Sequence, residues 1–515
     1  MGTVVAFPAG ISPQTVKKYR NPLWRLRNLY FIKDEHGNKV KFVPNWAQED
    51  FLLEMWFLNL VLKSRQIGFT TVIDLFMFDA ALWNPNINCR IIADSDGKAK
   101  EIFEDKIKFA YENLDPWLQH GQQTEIESMH ALKFANGSSI RVGTSTRGLT
   151  EQYLHISELG KISLDFPKKA LEIKTGAFNT VHPGNFIFVE STSRGRGGVF
   201  FDLCDAAMKA QQASQELTAI SFKLHFYPWF VDPRCALSPE DARKVVITAE
   251  DREYFKRVEA EMDVELTREQ RAWYVEKAKT MGDKMKEEYP STPKEPFEVP
   301  LEGAYFGKEI LRVRREKRIC KLPWAAAEPV NAFLDLGHSD YTSIWLHQHL
   351  YPWNHFLRYY QNSGEKLVHY VNWMRNTVID QGCILGTIYL PHDAATVNPE
   401  ATLGSYEEQV RKLLPGVNIH VVERPNDKYY DGIEASRREL PTCKFDEEGC
   451  DEGIKVLENY KKQWNDLLGV WRNEPLHDWA SHGADAFEQF SRGFVAGAQR
   501  GFKRGRHQRG SHRTV

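Results

Sequence analysis

Four prolines fall within the twelve residues YPSTPKEPFEVP (289–300), and this stretch constrains the fold more than any other. Proline fixes φ and lacks a backbone donor, so neither a helix nor an inner strand continues through it. A second proline-bearing connector, KLPWAAAEP, follows at 321–329, and the main domain boundary is expected between the two. At 515 residues the chain exceeds what one hydrophobic core usually supports. The expected layout is an extension over 1–39, an α/β core over 40–232, a helical region over 233–328, a second α/β domain over 329–492 and a tail over 493–515.

On the N-terminal side, short apolar runs alternate with helical patterns, as in a parallel α/β domain. LNLVL, CRIIAD, YLHIS and NFIFVES read as strands, and Thr70 to Leu82 and Lys98 to Leu114 as helices. ALKF-ANGS-SIRVG reads as a hairpin turning at Asn136-Gly137. Thr248 to Glu288 is charged and helical. On the C-terminal side NAFLDLG, TSIWLHQHL and NHFLRYYQNSG read as three meandering, hence antiparallel, strands. A helix in EKLVHYVNWMRNTVIDQG and strands in ILGTIYLPHDA and NIHVVERP follow.

The formal net charge is −2, so contacts with nucleic acid must come from local patches. The seven cysteines are scattered without a CxxC, which points to free thiols in a reducing compartment. The start, MGTVVAFPAGISPQ, lacks the basic n-region of a signal peptide. FLLEMWFLNLVL is interrupted by Glu54 and Asn59 and is too short to span a bilayer. A soluble, cytoplasmic protein is expected.

VLKSRQIGFTTV (61–72) approximates the phosphate-binding loop GxxxxGK[ST]. Gly68 and Thr70 match the last glycine and the hydroxyl, while Phe69 stands where the lysine belongs and Lys63 at the first glycine. The loop joins an apolar strand to a helix N-terminus, which favours anions. The missing cation is expected from Lys63 or Arg65, with Ser64, Gln66 and Thr71 completing the loop. YLHISELG ends in Ser157-Glu158: Glu158 suits polarisation of an attacking water, and Ser157 replaces the usual metal-holding Asp. Beyond NFIFVES, Ser191 and Thr192 can sense a γ-phosphate, and upstream Asn45 and Gln48 offer an amide that fits an adenine edge. Each piece has a plainer alternative: an ordinary strand–helix turn, a capped strand end, a polar turn, a helix cap.

In order, VPNWAQ, KSRQIGFTT, TSTRGLTEQYLHISE and ESTSRGRGG, with the later LTREQRAWY…EEYPSTPKEPF, resemble the ATPase domain of the large terminase subunit of tailed double-stranded DNA bacteriophages. The resemblance covers most of residues 40–300 and implies a P-loop-type (ASCE) ATPase with a parallel central sheet, binding ATP with one Mg²⁺. It also implies a loop whose basic residue comes early, as Lys63 does. Arg147 in STRG matches an arginine that reaches a neighbouring subunit's ATP; a loop arginine paired with a nearby acid is the alternative.

Two hydrated Mg²⁺ ions need hard oxygen ligands, and carboxylates at strand ends supply them. Asp335 lies within the apolar strand FLDLG, where an uncompensated carboxylate is costly. Asp393 closes YLPHDA, and in a meander with a returning parallel strand it comes beside Asp335. Asp485, in DWASHGADAFEQF, begins a C-terminal helix over the same edge, with Asp340 in support. His392 and His482 adjoin these motifs, as metal or DNA contacts or as structural histidines. This arrangement is that of an RNase H-like mixed-sheet nuclease, and FLDLG…D, LPHDA and SHGADA resemble the nuclease domain of the same terminase family over 331–492. By that resemblance Asp335, Asp393 and Asp485 hold two Mg²⁺ (or Mn²⁺) ions.

The last sixteen residues, RGFKRGRHQRGSHRTV, hold six Arg/Lys and no acid, a basic tail for phosphate, for an acidic partner or for solubility. RGRGG at 194–198 is a second phosphate-contact candidate, backbone-directed and not base-specific. The implied protein is a viral DNA-packaging motor and metal-dependent endonuclease. Its implied partners are double-stranded DNA, the procapsid portal, the small terminase subunit and copies of itself in a ring, in the host cytoplasm. The rival readings are a repair or defence nuclease with a helicase-like domain, which should carry a second helicase core, and a DNA-binding scaffold with an inert ATP site.

Overall fold

The computed structural model describes residues 12–145, 150–337, 341–396, 404–423, 430–465 and 470–495. It divides into two compact units, Met1–Val299 and Pro300–Val515, so the helical residues 233–299 belong to the first and 300–328 to the second. Both are α/β, each built on a mixed, largely parallel sheet. No helix among the described residues is long and apolar enough to cross a membrane. All seven cysteines are free.

The main sheet of the first unit has eight strands. In chain order they are β1 (Leu58–Lys63), β2 (Asn88–Ile92), β3 (Thr124–Ser128), β4 (Ala131–Phe134), β5 (Ser139–Gly143), β6 (Glu151–Ser157), β7 (Val181–Ser191) and β8 (Phe222–Tyr227). Their spatial order is β8-β1-β7-β6-β2-β5-β4-β3, parallel from β8 to β5 and antiparallel through the last two pairs. The central strands are buried on both faces, which is why LNLVL reads as a continuous apolar run. Edge strand β8, in SFKLHFY, carries mixed polarity on a half-buried pattern and gave no strand signal in the sequence.

Helix α1 (Trp46–Glu54) starts with a capping box in which Asn45 and Gln48 satisfy each other's backbone. Helix α2 (Phe69–Trp83) is buried over nearly its whole length, between the sheet and an N-terminal layer that contributes Leu26 and Tyr30 to the same core. Leu26, Leu29, Tyr30 and Phe42 therefore belong to this core. The expected helix from Lys98 to Leu114 runs from Asp96 to Glu112 with a wider π turn at Phe103–Lys108. Helices α3 (Leu159–Asp165) and α4 (Gly198–Gln212) cover the other face around Leu60, Ile156 and Val189.

The sheet of the second unit has seven strands: β9 (Ile319–Cys320), β10 (Val330–Asp335), β11 (Tyr341–Leu350), β12 (Trp353–Ser363), β13 (Leu385–Leu390), β14 (Ile419–Val421) and β15 (Cys443–Asp446). Their order is β9-β15-β12-β11-β10-β13-β14. The three-strand meander β10-β11-β12 is antiparallel, and β13 returns parallel beside β10, with Ala332 opposite Ile388 and Phe333 opposite Tyr389. Helix α5 (Leu367–Asp380) makes the crossover to β13. Helix α6 (Trp479–Gly493) lies on the meander: the Trp345 indole donates to the Gly483 carbonyl at 2.9 Å, and Phe490 meets Phe333 edge-on at 5.3 Å.

Candidate functional site

Residues 64–68 connect β1 to α2 at the carboxyl ends of the parallel strands, where open α/β sheets place their ligands. Two residues take left-handed conformations, Gln66 (φ 63°) and Gly68 (φ 84°). A Cβ at Gly68 would also come within 2.7 Å of the Gln48 side-chain amide, so glycine is required there twice over.

Three successive loop carbonyls are held from below. Arg234 donates to Gln66 O at 2.9 Å, Asn45 to Ile67 O at 2.9 Å and Gln48 to Gly68 O at 2.8 Å. In a trans peptide the N–H lies opposite the C=O, so the amides of Ile67, Gly68 and Phe69 face away from these clamps, as in an anion-binding nest. Asn45 and Gln48 thus brace the loop; the Gln48 Oε1 is also engaged, by the Asn45 backbone at 2.9 Å. Its amide edge is committed to the protein rather than open to a base.

Phe69 is fully buried against Phe51 and Tyr227, at ring distances of 5.6 and 4.7 Å, and serves the core. Arg65 points outward, 54% exposed, with one nitrogen 3.4 Å from Glu288. Lys63 closes β1 and is buried, its ammonium 2.7 Å from Glu190 Oε2 and 3.3 Å from Glu158 Oε1. Burial works against that charge, but the two carboxylates outweigh it and hold Lys63 above its ordinary value. Of the two candidate cations, Lys63 is therefore the one at the strand ends beside Glu158. Ser64 is buried beneath the loop, Thr71 lies in the first turn of α2 and is buried, and Thr70 Oγ1 donates to Glu190 Oε1 at 2.7 Å.

Glu158 follows β6 in a left-handed conformation (φ 58°, ψ 47°), which costs a non-glycine residue roughly 1–2 kcal/mol. The turn aims its carboxylate at Lys63 and at the Ser191 hydroxyl, which donates at 3.1 Å. Gly160 lets the strand ends approach: a Cβ there would fall 2.6 Å from Thr192 O. The single Ser191 hydroxyl proton is shared between the Glu158 carboxylate and that same Thr192 carbonyl, the latter at 2.6 Å, just beyond β7. Arg147 lies outside the described residues.

The sequence reading missed Glu190. It is fully buried, in register with Ser157 on the next strand, and its Oε1 accepts from both Thr70 and Ser157, the latter at 2.9 Å. Burial alone would raise its pKa, yet Lys63 and His155 hold it well below the usual carboxylate range. His155 is itself buried, with Asp74 at 2.7 Å; burial opposes its charge, but Asp74 and Glu190 push its pKa up to about 9. A signal was present in NFIFVES: an acid inside an otherwise apolar strand, the reasoning that singles out Asp335.

In the second unit Asp335 ends β10 and Asp393 sits in the turn His392–Ala395 just after β13, so both stand at the carboxyl ends of adjacent parallel strands. His482 Nδ1 lies 3.0 Å from Asp335 Oδ2. Burial raises the Asp335 pKa; His482 opposes the rise and Asp393 adds to it. On α6, Asp485 stands one turn before Glu488, whose carboxyl is raised well above its ordinary value, first by burial and then by Asp485. Asp335 also reaches Glu488 electrostatically, so these carboxylates share one neighbourhood. Glu488 too escaped the sequence reading; it packs where Gly432 offers no side chain, and a Cβ at that glycine would overlap its carboxylate. Asp340 lies outside the described residues.

Hard oxygens whose burial and mutual repulsion call for positive charge suit a divalent cation chemically. Among the described residues, however, no group of three or more His, Cys, Asp or Glu side chains is already arranged to hold a metal ion. The two ion sites expected from sequence are thus not seen as a ligand set among the described residues, where Asp335 and Asp393 stand at adjacent strand ends.

No protein-family model matches the chain, and no curated protein does. Among solved structures it is similar to the large terminase of bacteriophage HK97, at 12% identity and a TM-score of 0.44, covering 92% of this chain and 98% of that one. It is similar to the large terminase of a thermophilic bacteriophage in complex with ADP, at 12% identity and a TM-score of 0.29, covering 88% and 100%. It is also similar to the P22 large terminase nuclease domain, at 14% identity and a TM-score of 0.26, covering 34% and 88%. The chain thus matches phage large terminases along nearly its whole length, at an identity too low to transfer any residue role.

Proposed function

We propose that this chain is a DNA-packaging motor of the large-terminase kind, in which the first unit hydrolyses ATP and the second cleaves double-stranded DNA. The observation that carries the reading is the ammonium of Lys63 between Glu158 and Glu190 at the strand ends, beneath a loop whose amides face outward. In this reading Lys63 and the amides of Ile67, Gly68 and Phe69 receive the phosphates of Mg·ATP. Glu158 orients and polarises the attacking water, a task that positioning and electrostatics largely accomplish. Ser191 fixes the Glu158 carboxylate, and Thr192 lies where a terminal phosphate would be sensed. Arg147 is assigned to the ATP of a neighbouring copy, which ties hydrolysis to a ring.

In the second unit Asp335, Asp393 and Asp485 would hold divalent ions, Mg²⁺ or Mn²⁺. When bound, the ions supply charge stabilisation for the cleaved phosphodiester. His482 orients Asp335 through its ring nitrogen, and Glu488, one turn after Asp485, would turn anionic and add a carboxylate oxygen when cations are bound. The basic segment after residue 493 and RGRGG supply sequence-independent contacts to the DNA backbone. The portal and small terminase subunit complete the partners of this reading. An inert nucleotide site, suggested by Phe69 and Ser157, is the weaker reading, because Lys63 stands at the strand ends beside Glu158 and Glu190 stands beside Ser157.

The test measures ATP turnover and plasmid cleavage with Mg²⁺ or Mn²⁺. Glu158→Ala should abolish turnover and spare cleavage, and Asp393→Ala should do the reverse. If both variants keep both activities, the assignments fall. Mixing Arg147→Ala with Glu158→Ala subunits should restore some turnover if the arginine acts across subunits; no rescue at any ratio removes that role.

A further inference from the structure

We propose that Glu190 is the carboxylate that holds magnesium at the phosphate site, supplied by β7 in place of the acid missing from β6. The inference rests on the ATPase reading above and assigns the metal partner within that site.

Position 157, at the end of β6, is where the sequence puts a metal-holding acid, and it is a serine. The space is not left without charge. Glu190 is its register partner on the adjoining parallel strand, and one glutamate oxygen accepts from the Ser157 hydroxyl at 2.9 Å and from the Thr70 hydroxyl at 2.7 Å. Thr70 is the loop hydroxyl that, in a phosphate-binding loop, faces the ion. The carboxylate therefore meets the two groups between which the ion belongs. The Glu158 backbone amide donates to the Glu190 carbonyl at 2.8 Å, which locks the two strand ends together.

Core packing does not ask for a glutamate here. A fully buried carboxylate within a strand is expensive unless a cation compensates, and an apolar residue would fill the layer at lower cost. The compensating cations are Lys63, whose ammonium also reaches Glu158, and His155, whose ring nitrogen lies 3.7 Å away. That ammonium has two destinations once phosphates arrive. If the phosphates draw it away, the Glu190 carboxylate would still face the Thr70 and Ser157 hydroxyls and would be available to a second cation. Magnesium is commonly held by one or two carboxylates together with substrate phosphates, which is the donor set then present. The alternative role for Glu190, as a brace for Lys63 alone, predicts a different dependence on metal.

The experiment compares binding of a non-hydrolysable ATP analogue in EDTA and in Mg²⁺, and counts bound Mn²⁺ by electron paramagnetic resonance. In the wild type Mg²⁺ should strengthen binding. Glu190→Gln should lose about 10- to 100-fold of that gain, the range seen when carboxylates around a metal are removed, with affinity in EDTA little changed. Ser157→Asp combined with Glu190→Gln should restore part of the gain and of the bound Mn²⁺. A Glu190→Gln variant that keeps the full Mg²⁺ gain, or that weakens binding equally in EDTA and Mg²⁺, overturns the proposal. Should Glu190→Gln fail to fold, the double variant decides: metal coupling absent from it overturns the proposal. If the wild type binds no nucleotide in either condition, the ATPase reading itself falls.

Discussion

Ser157 and Glu190 are register partners on adjacent parallel strands, and the serine hydroxyl donates to the glutamate carboxylate at 2.9 Å. The acid absent from one strand end thus stands on its neighbour. The phosphate loop shows the same displacement, with Lys63 six positions before Phe69.

Lys63 and Arg65 are separable by substitution. Lys63→Ala leaves buried Glu190 without its closest cation, so unfolding free energy should drop by about 3–5 kcal/mol. ATP turnover should fall about 10²- to 10³-fold, as when one preorganised charge-stabilising donor is removed. Arg65→Ala, at an exposed site, should change stability by no more than about 0.5 kcal/mol and turnover far less. Urea denaturation and steady-state turnover check both; equal losses in the two variants would count against Lys63 as the loop cation.

Gln48→Ala distinguishes a loop brace from an adenine contact. A brace holds the Gly68 carbonyl whatever the base, so affinities for ATP and GTP should fall in parallel, with a stability loss of about 1 kcal/mol. Selective loss of ATP affinity would return Gln48 to the base.

In the second unit, Mn²⁺ should raise the melting temperature of the wild type and not of Asp335→Asn, because only ligand bound to the native state stabilises it. Gly432→Ala, whose Cβ overlaps the Glu488 carboxylate, should depress plasmid cleavage and leave ATP turnover unchanged. Cleavage at the wild-type rate in this variant would remove Glu488 from the site.

His347 makes the second unit acid-sensitive. It is fully buried among Phe333, Phe356, Phe490 and Phe494, and burial lowers its pKa from 6.5 to about 3. A histidine whose folded value lies below its unfolded one contributes stability that is present above pH 6.5 and lost as pH falls toward 3. His347→Phe should flatten that decline by up to roughly 5 kcal/mol over the interval, read from denaturation curves at successive pH values. Parallel curves for wild type and variant would refute it.

The sequence carried the parts of this fold that have strong periodicity. β1, α2, the hairpin at Asn136-Gly137, the meander β10-β11-β12 and the parallel return of β13 all follow from apolar runs and turn residues. β8 and β15 were not legible. One is a half-buried edge strand, and the other, in the CKFDEEGC segment, looks like an acidic spacer because Asp446 serves a turn, accepting from Gly449 N at 2.7 Å. At the proposed sites, Lys63, Glu158, Asp335 and Asp393 stand out in the sequence as polar groups at the ends of apolar runs, and the structure sets them at or just beyond strand ends. Glu190 stands out in the same way but was overshadowed by the hydroxyls that follow it. Gln48 was legible as a residue and not as a role, since only the three-dimensional loop shows which carbonyl it serves.

The burial of Phe69 also bears on how such a loop can change over time. Lysine at that position would put an ammonium between the rings of Phe51 and Tyr227 while Lys63 still occupied the carboxylates. The aromatic packing of Phe69 and the ion pairs of Lys63 therefore constrain each other: a lysine at 69 costs the core its ring while the site already holds its cation.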